Sequence, residues 1–216
     1  MRDNILMRLV FRTRYGKMDE LVGLMKKNED LAVVMRPDLF GGATQWRYLV
    51  DHGGDMFHVI TEMLTTSDIF SQWNDALDEA YQQVEFKVWF NQMVTCTESG
   101  SRELWRAHVA PSDFSSAPGR VCVRNVYQAR YGRADAVIAH LQKQSALAQK
   151  HGIPPLAIYS DLMGPMFTVV ASRDFANLAA WEQTIQQIDA LPEFSDWRRQ
   201  LLSMVEIGRR EFYRIV

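Results

Sequence analysis

Hydrophobic positions alternate at the start of the chain. Ile5, Met7, Leu9 and Phe11 fall on one face, and Leu6, Arg8 and Val10 fall on the other. A period of two predicts a strand. Because both faces are largely apolar, that strand is expected in a sheet covered on both sides. The period then changes, and Met18, Leu21, Val22 and Met25 are spaced to share one side of a helix. Two further strands are expected at 45–50 and 56–62, joined by a tight turn that opens Asp51-His52-Gly53-Gly54. A second helical stretch carries Ile69, Phe70, Trp73, Ala76, Leu77, Ala80 and Tyr81. It breaks near 82–85 and resumes with Phe86, Trp89, Phe90 and Met93. Gly100 is expected to cap it, and a last strand is expected over 102–109.

The same succession then returns. Val121, Val123, Asn125 and Tyr127 alternate with Cys122, Arg124 and Val126, and Val137, Ile138 and Leu141 follow at helical spacing. Strands are expected at 156–160 and 166–172. Leu178, Trp181, Ile185 and Ile188, then Phe194, Trp197, Leu201 and Met204 beyond Pro192, form the second helical stretch. Gly208 caps it before a strand over 210–216. Residues recur along with periods: Arg14-Tyr15-Gly16-Lys17 returns as Arg130-Tyr131-Gly132-Arg133, with a period of about 110 residues, the size of a small domain. Each copy reads β-α-β-β-α-β, the ferredoxin-like plan. The expected fold class is therefore α+β, with ferredoxin-like units at 1–109 and 120–216. Residues 110–119, rich in Pro, Ser and Gly, are expected to be an exposed linker.

Of the 216 residues 47% are hydrophobic and six are Trp, enough to fill the cores of both copies. A net charge of −2 offers no basic excess to neutralise phosphates, so nucleic acid is not an expected partner. No apolar run is long enough to span a bilayer, and charge interrupts the N-terminal stretch. No membrane association is expected, and the expected location is cytoplasmic. Cys96 and Cys122 make no disulfide framework and are expected to behave as small buried hydrophobes.

Three pairs of segments go beyond a generic pattern. They are the Asp-x-x-Gly-x-Met-Phe hairpin (Asp51–Phe57, Asp161–Phe167), the Trp opening the second helical stretch (Trp73, Trp181), and Glu-x-Gly-x-Arg-Glu (Glu98–Glu103, Glu206–Glu211). On these the chain resembles the dimeric α/β-barrel superfamily, with NIPSNAP-like and antibiotic-biosynthesis-monooxygenase-like domains as the nearest look. The resemblance implies two ferredoxin-like units packed sheet to sheet, an internal pseudo-dimer in one polypeptide, with further homodimerisation left open. It also implies small-molecule pockets between each sheet and its own helices. Members include cofactor-independent monooxygenases, haem-degrading enzymes, lactone isomerases and proteins with no known chemistry, so the fold alone licenses no reaction.

Candidate chemistry concentrates where the copies differ. Asn125 is polar where the first copy has Leu9, and Tyr127 and Trp181 are expected near it. Haem-degrading members resemble this half in an Asn on the first strand and a Trp on the second helix. Their axial His would fall at Leu191 or Gln83, and neither supplies imidazole. No cofactor is therefore expected. A cofactor-free pocket would use Asn125 and Tyr127 to polarise a phenolic substrate. In the plainer alternative Asn125 bonds a neighbouring side chain and Trp181 fills the core. His140, opposite Leu24 of the first copy, is a candidate base. Asp51, His52, Asp55 and His58 match no compact metal motif, and no metal is expected. Asp51 and Asp161 read as turn residues, and the Arg8/Arg124 and Arg14/Arg130 pairs as ion pairs at the seam between sheets.

The leading expectation is a small-molecule-binding barrel whose second copy carries the pocket. It would be a cofactor-independent monooxygenase or isomerase for an aromatic or polyketide-like substrate, with Asn125, Tyr127, His140 and Trp181 as catalytic candidates. The alternatives are a non-catalytic NIPSNAP-like binding or interaction protein, and a haem-binding or haem-degrading protein.

Overall fold

The computed structural model describes residues 4–42, 44–53, 56–111, 113–114 and 117–216. Gly54 and Asp55 of the first hairpin, and Ser112, Ser115 and Ser116 between the copies, lie outside the described residues. The first copy runs β1 (Asn4–Thr13), α1 (Met18–Met35), α2 (Pro37–Phe40), β2 (Gln45–Gly53), β3 (His58–Thr66), α3 (Ser67–Phe70), α4 (Trp73–Gln82), α5 (Val84–Cys96) and β4 (Thr97–Val109). The second runs β5 (Val121–Ala129), α6 (Ala134–Lys150), β6 (Ala157–Met163), β7 (Thr168–Phe175), α7 (Leu178–Asp189), α8 (Pro192–Met204) and β8 (Val205–Ile215). The break in each second helical stretch is where the pattern placed it. Gln83 is extended between α4 and α5, and Leu191 is extended before Pro192, which opens α8.

The strands close into an antiparallel barrel in the order β1-β3-β2-β8-β5-β7-β6-β4. Each copy contributes a four-stranded sheet in ferredoxin-like order, and the two sheets face each other across the lumen. Their edges are joined by hydrogen bonds, β2 to β8 and β4 to β6. Among the described strands, closure leaves no free edge to pair with another chain. Helices cover the outside: Leu21, Met25, Phe86, Trp89 and Met93 pack on the first sheet, and Val137, Ile138, Leu141 and Leu201 pack on the second. The two apolar faces of β1 are thereby explained, one toward helices and one toward the lumen.

Several expectations are corrected. The last strands begin at Thr97 and Val205, so Gly100 and Gly208 are strand residues and cap no helix. Gly100 lies opposite Phe11 and Gly208 opposite Tyr127. A Cβ on Gly100 would come within 3.0 Å of the Phe11 ring, so glycine there makes room for an aromatic across the strand pair. His52 belongs to β2 and not to a turn. The segment between the copies is not simply exposed, because Phe114 is buried in the lumen cluster with its ring 4.5 Å from the Arg47 guanidinium. Arg14 bonds the Thr97 carbonyl at the surface and does not pair at the seam.

Repeated residues hold the hairpins. Asp51 accepts from the backbone N–H of His58, and Asp161 accepts from that of Thr168 at 2.9 Å. Phe57 and Phe167 sit at φ 73° and 61°, a conformation that disfavours bulky side chains. The carbonyls there accept from Thr13 at 2.7 Å and Ala129 at 2.9 Å, and the rings meet Tyr15 and Tyr131 edge-on.

The lumen holds charge. Glu62, fully buried, accepts from Arg8 at 2.7 Å and from Arg47 at 2.5 Å. Arg8 reaches Glu103 at 2.8 Å, Arg47 reaches Asp174 at 2.9 Å, and Arg124 reaches Glu211 at 3.0 Å. Burial pushes the Glu62 carboxyl up, but Arg47, Arg8 and Arg124 outweigh it and hold it at about 2. A depressed carboxyl contributes stability above its ordinary value, and that contribution is lost as pH falls toward the folded value. Denaturant unfolding at stepped pH should therefore show stability falling between about pH 4.5 and 2. Glu62→Gln should flatten that slope and lower neutral-pH stability by about 3–5 kcal/mol. In thermal melts, Gly100→Ala should destabilise by about 1–3 kcal/mol. Gly208→Ala, whose Cβ would meet Tyr127 at an ordinary 3.5 Å, should be neutral or mildly stabilising.

Candidate functional site

The outer sheet face and its helices meet differently in the two copies. In the second, Arg210 donates from Nε to Asn125 Oδ1 at 2.8 Å, and its guanidinium lies 5.4 Å from the Trp181 ring centre. Trp181 meets Phe212 edge-on at 4.9 Å. Asn125 and Arg210 are cross-strand partners, so the contact follows from register. Tyr127 packs over Gly208 and beside the core cluster of Ala129 and Val205, and burial pushes its phenol up, so it stays neutral near pH 7. The structure thus brings Asn125 and Trp181 together through Arg210, the arginine of the repeated Glu-x-Gly-x-Arg-Glu segment, which the sequence analysis had not placed at the site.

His140 lies apart from that group. Its Nε2 is 2.9 Å from the Trp197 carbonyl, an acceptor only, so Nε2 carries a proton and donates. Trp197 donates back from Nε1 to the His140 carbonyl at 3.1 Å, and the two rings stack at 4.9 Å. In the first copy, Trp89 Nε1 donates to the Leu24 carbonyl at 2.6 Å, the same link without the imidazole. Among the described residues no three His, Cys, Asp or Glu side chains come together in a way that could hold a metal ion. His58 Nδ1 lies 3.4 Å from the Asp51 carboxylate, and Asp55 is outside the described residues.

The large apolar cavity is in the first copy, contrary to the expectation. It measures about 440 Å³ and lies between β1, β2 and β4 and helices α1, α2, α4 and α5. Its wall includes Leu9, Phe40, Trp46, Trp73, Phe90 and Arg102, and none of Asn125, Tyr127, His140 or Trp181. At the register position where Asn125 meets Arg210, Leu9 faces Arg102 and offers it no hydrogen-bonding side chain. Trp46 stands where the second copy has Leu156, next to the residue pair that aligns Arg47 with Ala157. The Nε1 atoms of Trp46 and Trp73 are buried without a hydrogen-bond partner, and both residues line the cavity. Phe40 braces them, 6.1 Å from Trp46 and 5.6 Å from Trp73 between ring centres.

Solved structures share this architecture over nearly the whole chain. A protein of Lactobacillus acidophilus NCFM, described provisionally as a monooxygenase, is similar at a TM-score of 0.68 and 9% identity, over 99% of this chain and 94% of its own. An anthrone oxidase-like protein is similar at a TM-score of 0.64 and 15% identity, over 100% and 92%. This is the dimeric α/β-barrel fold, made by one chain. At such identities the likeness is one of fold. A NIPSNAP family protein of Agrobacterium tumefaciens matches 53% of this chain and 91% of its own at 22% identity, with a TM-score of 0.39, too slight to argue from. No family model and no curated protein matches the sequence.

Within this dimeric α/β barrel the sequence singled out Asn125 because it breaks an apolar strand face. The cavity is instead marked by Trp46, where an indole replaces the leucine of the other copy, and by α2, which has no counterpart helix there. No helix among the described residues is long and apolar enough to cross a membrane. Asn125→Leu, which installs the first copy's residue, should leave the fold intact and lower the melting temperature by a few degrees, since about 1 kcal/mol is at stake.

Proposed function

We propose that the first-copy cavity binds an aromatic small molecule bearing a carbonyl or phenolic oxygen. One observation carries this reading: Trp46 and Trp73, whose buried indole N–H groups have no hydrogen-bond partner, both line a cavity whose wall is mainly apolar. A buried donor left unpaired costs roughly 1–3 kcal/mol, and a ligand oxygen that pairs with an indole N–H would recover it. Apolar lining with a few convergent polar groups is the usual composition of a small-molecule site, and about 440 Å³ is within the usual size range. Phe40, Trp73 and Phe90 line it, and aromatic side chains of this kind favour a flat aromatic ligand.

The oxygenase reading rests on Arg102 at the cavity wall. A guanidinium there would stabilise the anion of a phenolic or enolic ligand, the electron-rich form that reacts with dioxygen without a cofactor. The descriptions carried by the fold neighbours, a provisionally described monooxygenase and an anthrone oxidase-like protein, support testing this class.

Anthrone, a tricyclic aromatic ketone, serves as the probe. Titration against tryptophan fluorescence should show saturable quenching, and Trp46→Phe or Trp73→Phe should each weaken it about 5- to 10-fold. Unchanged affinity in both variants would sink the binding mode. Oxygen uptake by the complex in metal-free buffer, lost in Arg102→Gln, separates turnover from binding alone.

A further inference from the structure

The lumen has a second cavity on the opposite face of the sheets from the first. It measures about 210 Å³ and opens at one barrel end between the β6–β7 hairpin and β8. Arg8, Arg124 and Arg209 line it, with Glu103, Gln128 and Thr168. Trp105 and Val126 form apolar wall. Gln128 and Thr168 are already committed: Gln128 Nε2 donates to the Met166 carbonyl at 2.6 Å, and Thr168 Oγ1 donates to the Pro165 carbonyl at 2.7 Å.

The arginines are not fully used. Arg8 and Arg124 are 3% and 2% exposed, and each keeps Nη2 buried with no hydrogen-bond partner. They occupy equivalent positions of β1 and β5, so each copy contributes to the wall of one cavity an arginine with a donor left unpaired. Each guanidinium lies against the other copy's aromatic, Arg8 5.6 Å from the Tyr213 ring centre and Arg124 5.7 Å from that of Trp105. That cross-packing fixes both forks in place.

The carboxylates nearby are shared. Glu62 serves Arg8 and Arg47, and Glu211 serves Arg124 at 3.0 Å and Arg209 at 2.8 Å. Among the described residues Glu103 is the one acid that lines the cavity, and it is spread over Arg8 and the Trp105 indole, at 2.8 and 3.2 Å. The copies also differ behind the site. Arg8 faces Glu62 across its strand pair, whereas Arg124 faces Ser172 at the same register. Arg124 therefore lacks the second counter-ion that Arg8 has. The Glu211 carboxyl agrees: burial raises it, yet Arg124, Arg8 and Arg209 outweigh burial and hold it below the ordinary value.

We propose that this lumen cavity binds a small oxyanion, a phosphate or a short carboxylate, bridged between the Nη2 groups of Arg8 and Arg124 and screened from solvent by Arg209. Guanidinium forks match such groups by charge and by paired N–H geometry. A cavity of this size holds one such ion or a few waters, and water alone is the competing occupant. The site does not depend on the aromatic-ligand reading of the outer cavity.

The experiment is a thermal-shift series with sodium phosphate and, separately, sodium malonate, each against sodium chloride at equal ionic strength. Binding to the folded state raises the melting temperature saturably with ligand. A shift with phosphate alone assigns inorganic or ester phosphate, and a shift with malonate alone assigns a carboxylate. Arg124→Lys keeps a charge for Glu211 but removes the fork, and should weaken the response at least about tenfold. Should that variant not fold, Arg209→Gln, at an exposed position, should weaken it about threefold. A melting temperature that follows ionic strength alone, as it does in chloride, overturns the proposal in favour of water. So does a shift that is unchanged in the folded variants.

Discussion

Glu62 lies fully buried between two guanidiniums, and the packing of the lumen follows from keeping those three charges together. Side chains must fill an eight-stranded barrel, and here many of those fillers are ionic. Removing one partner of a buried pair strands the other in a poorly solvating interior, whereas exchanging the whole set for apolar groups need not lose stability. The charges act chiefly on register. Arg8 and Glu62 are paired across β1 and β3, and Arg47 and Glu62 across β2 and β3. A slip of one residue in any of those strands would turn an ion out of the lumen and bring an apolar helix-facing residue in. Asp174 on β7 extends the same network into the second copy through Arg47. Closure of the barrel and alignment of the two sheets thus depend on one chain of contacts.

Much of the architecture was legible in the residues. Alternation at Ile5–Phe11 and its echo at Val121–Tyr127 located the central strands, and the shift to helical spacing located the helices on them. Strand ends were less legible, because glycine at 100 and 208 carries two meanings. Next to a helix it reads as a cap, and in a strand it clears space for an aromatic ring across the pair. Only the partner strand decides between them, and pairing is a long-range property. Phe114 was hidden for a related reason: its Pro- and Ser-rich neighbours describe a solvated connection, while a single ring in it covers Arg47.

The site was harder to read than the fold. A polar residue on an apolar strand face, Asn125, drew attention to the second copy. There it restrains Arg210 against Trp181. The opposite sign was the informative one. With Leu at position 9 the corresponding strand face offers no such partner, and the neighbouring cleft is open. A cavity is made by what is missing around it, and single residues report poorly on missing neighbours. Indole groups at 46 and 73 look like core from their spacing, and only their unpaired N–H atoms set them apart.

The barrel is built from two unequal halves of one polypeptide, and this has a consequence for its interior. In a barrel of two identical chains every inward substitution is made twice, related by the axis. A glutamate at position 62 would then bring a twin into the same lumen, and each would need its own arginines in the same confined interior. With the halves covalently joined, Glu62 and Arg47 stand once, and Ser172 and Ala157 occupy the mirrored places. Joining the halves lets the lumen carry a lopsided charge distribution, a dipole across the barrel that a symmetric pair of chains is forbidden to have.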